Sequence, residues 1–89
     1  MNFEMAHHIY MLVKKERSDA IRMEEYYTKK LDEAKGRRGE TEDQNELTKI
    51  DKEIVEAEND VADEIERRKR AEAVIHYFER KTLADMVAE

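Results

Sequence analysis

The sequence contains no cysteine, no proline and no tryptophan among 89 residues, and only two glycines, Gly36 and Gly39. Lack of cysteine excludes disulfides and thiolate metal sites and is compatible with a reducing compartment. A chain of this size must then hold together by packing, and association between copies is the remaining way to reinforce a small core. Lack of proline leaves no position closed to helix. No apolar run approaches the roughly 18 residues that a membrane-spanning helix needs, and Met1 to Met5 do not read as a secretory leader. We expect a cytoplasmic protein without a membrane span. Nucleophilic chemistry is equally short of material: there is one serine, Ser18, and no glycine-rich phosphate loop. Neither an enzyme nor a bound cofactor is expected.

What the chain has in quantity is charge. Charged residues make up 45% of it, hydrophobic residues 39%, and the net charge is −6. That balance fits a solvated helix or a disordered segment, and periodicity decides between them. Phe3, Ala6, Ile9, Val13, Ala20, Met23, Tyr27 and Leu31 recur at helical spacing, and so do Leu47, Ile50, Ile54, Ala57, Val61, Ile65, Ala71, Ile75 and Phe78. Each set forms one apolar stripe. Glu25–Lys29, Asp63–Arg67, Glu64–Arg68 and Glu66–Arg70 are spaced to pair along the outer faces.

Both glycines lie between the stripes. Gly36 is placed to end the first helix in a left-handed cap, and Thr41 with Gln44 reads as a capping box for the second; Asn2 is placed to cap the first. The expectation is one all-α domain over residues 1–89. It has a helix over about 2–35, a turn over 36–40, a helix over about 41–81, and a C-terminal segment over 82–89 that restarts as a short helix after Lys81. The two long helices form an antiparallel, coiled-coil-like hairpin. Reversal near Arg38 predicts a register in which Leu31 meets Leu47, Ala20 meets Ala57, Leu12 meets Ile65 and Phe3 meets Val74. In that register Lys14, Lys15 and Arg17 lie across from Asp60, Asp63 and Glu64, and residues 77–89 have no partner in their own chain, an overhang of roughly 20 Å.

An exposed apolar overhang marks an interface. Tyr77, Phe78, Leu83, Met86 and Val87 lie in it. A second apolar set, including Tyr10, Met11 and Val74, widens the face beyond what one neighbouring helix can cover. Two hairpins about a two-fold axis would bury both sets, giving a homodimeric four-helix bundle. The function expected of it is protein–protein interaction, as a small adaptor, assembly factor or inhibitor with a larger protein partner. The alternative is that the second set is ordinary amphipathic breadth on a monomer.

All three histidines fall towards the open end of the hairpin. Glu4 and His7, at Glu-x-x-His spacing, resemble the carboxylate–imidazole ligand element of ferritin-like proteins, and Glu72 and His76 share a face of the other helix at the matching level of the predicted register. The resemblance implies a carboxylate-rich di-iron or zinc site if two chains bring their sets together, although the family's additional bridging glutamate has no unambiguous counterpart here. The alternative is a group of solvated side chains at helix ends. Arg67-Arg68-Lys69-Arg70 suggests nucleic acid, but four consecutive helical positions point around the whole helix and three of them follow an acid by four residues. Nucleic acid is not the partner we expect.

Overall fold

The computed structural model describes the backbone of residues 2–88 and the side chains of residues 2–81. Two helices, α1 (Phe3–Glu40) and α2 (Gln44–Ala88), pack antiparallel along their length. The rod measures 69 × 18 × 14 Å. The stripes meet at the seam as expected: Ala20, Ile50, Ala57 and Ala71 are buried, and every other stripe residue is half-buried except Phe3; Ala34, outside the expected stripe, is buried with them. Small side chains dominate the buried set, so the helices approach closely and enclose little apolar volume between them.

Asn2 begins α1 as expected, its side-chain oxygen accepting from the Met5 N–H at 2.8 Å. The turn is not where the glycines suggest. Among the described residues no glycine has positive φ, and α1 runs through Gly36 and Gly39 to Glu40. Interior glycines cost a helix roughly 1 kcal/mol each relative to alanine, and three local features oppose that cost. Arg37 pairs with Glu53 and Arg38 with Asp51 across the seam. The same arginines place positive charge at the helix C-terminus, where the dipole favours it. Thr41 closes the end, its hydroxyl donating to the Arg37 carbonyl at 2.8 Å.

Residues 41–43 form the connection. Thr41 therefore ends α1 rather than starting α2, and Asp43 takes the capping position: its carboxylate accepts from the Asn45 N–H at 3.0 Å, and its carbonyl receives the Leu47 N–H at 2.9 Å. At the other end α2 continues to Ala88 with no break near Lys81, so the separate C-terminal helix is not formed.

Moving the turn resets the register. Arg17 reaches Glu72 at 3.2 Å, Arg38 reaches Asp51 at 2.7 Å, and the Tyr10 hydroxyl donates to Glu79 at 3.0 Å. Relative to the expected pairing, α2 has slid by roughly two to three helical turns. A slip by whole turns returns the same faces to the seam, which is why both stripes stay correct while the partners within them change. Lys14 lies over the Tyr10 ring, 5.2 Å from its centre, rather than across from the acidic residues of mid-α2. The long overhang also disappears: Glu79 lies against α1, Phe78 is half-buried, and α2, seven residues longer than α1, extends past it by roughly 10 Å.

Candidate interaction surface

Three zones succeed one another along the rod. Near the turn, the seam holds Ala34, Ile50 and Ala57 beneath the Arg37–Glu53 and Arg38–Asp51 pairs. On one side of this zone a shallow groove runs between the helices, bordered by Tyr27, Lys30, Glu53, Glu56 and Asp60. Apart from Lys30 and Arg37, its charged rim is acidic.

The middle zone is polar across the seam. Arg67 reaches Glu16 and Glu64, both at 3.2 Å, while Arg68 lies 3.5 Å from Glu24 and 3.9 Å from Glu72, which also binds Arg17. Arg68 Nε is buried without a hydrogen-bond partner. Arg67 and Arg68 thus reach Glu16 and Glu24 across the seam and Glu64 and Glu72 within α2, and the expected Asp63–Arg67 and Glu64–Arg68 pairs are not the ones formed. This engages two of the four basic residues in the run 67–70 internally. Charged layers of this kind select one register among those that satisfy the apolar stripes.

The open end carries most of the exposed large hydrophobic side chains among those described. Phe3 is 81% exposed, Leu12 53% and Tyr77 59%, with Met5, Met11 and Val74 also open to solvent. Among the expected interface residues, Met11, Val74 and Tyr77 are therefore exposed, Phe78 is half-buried with its ring centre 5.8 Å from that of Tyr77 in an edge-to-face arrangement, and Tyr10 is half-buried beside Glu79. That carboxylate accepts the phenol proton and repels the phenolate, which holds the Tyr10 pKa above its ordinary value. Leu83, Met86 and Val87 lie outside the residues whose side chains are described. Sequence reasoning misses Phe3 and Leu12 as surface, because it matches them to Val74 and Ile65 in the other register, and it favours core filling for Met5 over a protein-binding face. In the turn half only Tyr26 and Val55 are comparably open among the large hydrophobic residues described.

The residues proposed for metal do not converge. Glu72 is held by Arg17, and His7 stacks on Phe3 with ring centres 6.1 Å apart. The slide that places Glu72 opposite Arg17 takes it and His76 away from the level of Glu4 and His7. Among the described residues no group of three or more histidine, aspartate or glutamate side chains is arranged to hold a metal ion, and no helix is long and apolar enough to cross a membrane. Comparison of the chain with protein-family models, with curated proteins and with solved structures finds no match.

Proposed function

We propose that this chain is a non-enzymatic protein-interaction module, a small adaptor, assembly factor or inhibitor that works as a homodimer and offers apolar surface at its open end to a larger protein. One observation carries the reading. Among the residues whose side chains are described, the hairpin buries four alanines and one isoleucine, while Phe3, Met5, Met11, Leu12, Val74 and Tyr77 remain exposed at one end. Apolar surface contributes about 25 cal/mol per Å² when removed from water. Exposed apolar side chains clustered on a soluble protein mark contact sites, and methionine with aromatic residues is a composition enriched at interfaces.

Capture from the native host tests the reading, using the wild-type chain beside a Met5→Ser, Leu12→Ser, Tyr77→Ser variant of equal helicity. The expected result is a protein retained by the wild type, lost by the variant, and bound again when purified and mixed with the wild type alone. Identical retained sets for both chains would remove the open end as the working surface.

A further inference from the structure

Charge along the end of the connection and α2 is divided into two blocks. Residues 42–66 carry eleven acidic side chains and two basic ones, Lys49 and Lys52, whereas residues 67–81 carry six basic side chains and two acidic ones, Glu72 and Glu79. On a helix, positions seven apart lie nearly above one another. Glu53, Asp60, Arg67 and Val74 form one such row, and Glu56, Asp63, Arg70 and Tyr77 form the next. Each row reads acid, acid, arginine, apolar residue. The two rows share one edge of the hairpin: Glu53, Glu56 and Asp60 border the groove near the turn, and Asp63, Arg67, Arg70 and Val74 border a second groove beyond it.

Such an edge is complementary to itself only when reversed. Laid parallel, two copies set acid on acid and arginine on arginine. Overlapped by their open ends alone, they set one basic block on the other. Laid antiparallel with a two-fold axis close to Glu66, they bring Asp63 to Arg70, Asp60 to the level of Ala73 and Val74, and Glu53 to the level of Arg80, each contact occurring twice by symmetry. The chain's own ion pairs leave this edge available in part. Arg67 is engaged by Glu16 and Glu64, and Glu53 by Arg37, but the ion pairs among the described residues do not involve Asp60, Asp63 or Arg70.

We infer that a second copy of this chain docks along this edge, running antiparallel, with the acidic block of each α2 against the basic block of the other. The inference rests on the homodimer reading above and specifies its geometry: a side-by-side bundle overlapping along most of its length, not a junction of open ends. It leaves part of the apolar open end of each hairpin clear of the edge for a different protein.

Charge exchange tests the arrangement. Wild-type chain at micromolar concentration is expected to have the mass of two chains by sedimentation. Asp63→Lys alone and Arg70→Glu alone each set like charges face to face twice and should weaken association by about tenfold or more. Mixed in equal amounts, they should recover the two-chain mass, since each reversed residue then faces an opposite charge. Recovery in the mixture also separates the effect from simple unfolding of either variant. Spin labels provide a reading without charge reversal: labels at Glu66→Cys should lie within about 20 Å of each other, and labels at Thr48→Cys about 55 Å apart. A wild-type mass of one chain would overturn the homodimer together with this geometry, while leaving binding to another protein at the open end intact. A stable dimer indifferent to both reversals, or short distances at both labelled positions, would overturn the antiparallel edge alone.

Discussion

The two ends of this rod are built from the same helices and differ in what they complete. Near the turn, Ala34, Ile50 and Ala57 are buried, and Arg37 and Arg38 reach across to Glu53 and Asp51. That end closes on itself. At the open end Tyr10 and Glu79 make one solvent-exposed hydrogen bond, while Phe3, Met5, Leu12 and Tyr77 stay in water. The lesson is that one amphipathic pattern can serve two purposes along its length. Where small residues meet, the helices close on their own seam; where large residues flank a narrow seam, apolar surface remains for another chain.

Substitutions should separate the two ends by size and by concentration dependence. Ile50 is 3% exposed and is the one large side chain buried near the turn. Ile50→Ala should cost about 2–4 kcal/mol in urea unfolding followed by circular dichroism, at any protein concentration. Val74→Ala at the open end removes less buried surface, and its cost should be about 1 kcal/mol or less, growing with concentration if the side chain is covered by another copy. Equal, concentration-independent costs at the two sites would erase the contrast.

The connection gives the next effects, and they have opposite signs. Asp43 caps α2 through its carboxylate, so Asp43→Ala should destabilise by about 1 kcal/mol. Gly36 and Gly39 have no positive φ, and a methyl group at either would meet nothing within 4 Å. Gly36→Ala and Gly39→Ala should therefore each stabilise by about 0.5–1 kcal/mol in thermal or urea unfolding. A glycine holding a left-handed cap would respond in the other direction, so the sign of the Gly36→Ala change decides where α1 ends.

Those glycines also show how far the sequence could be read. Helical spacing identified the stripes and the two-helix hairpin, because burial of one face is a property of each helix alone. Asn2 was legible as a cap for the same local reason. The turn was misplaced because glycine permits a left-handed cap without requiring one, and nothing local to Gly36 shows that Arg37 and Arg38 will find acids on α2. Once the turn moved, partners along the seam moved with it, since a slip by whole turns preserves every stripe. Leu12 thereby went from seam to surface, and Glu72 left the level of His7 for Arg17. The charge blocks of α2 were visible in the sequence all along; their position on one edge became readable only with the grooves that border it.

The smallest effect tests the register most directly. The Tyr10 phenol donates to Glu79 at 3.0 Å, a contact that exists in the observed register and not in one two or three turns away. With its pKa held above the ordinary value by that carboxylate, the pair adds stability while the phenol is protonated, below the unfolded tyrosine value near 10. That contribution is lost as pH rises through the folded value. The tyrosinate absorbance of wild type minus Tyr10→Phe should therefore titrate with a midpoint above the ordinary one. The same difference in a Glu79→Gln background should fall back towards it, because a neutral amide accepts the proton's hydrogen bond without repelling the phenolate. If Glu79→Gln leaves the midpoint unmoved, Tyr10 faces some other part of α2, and the register set by the three-residue connection is wrong.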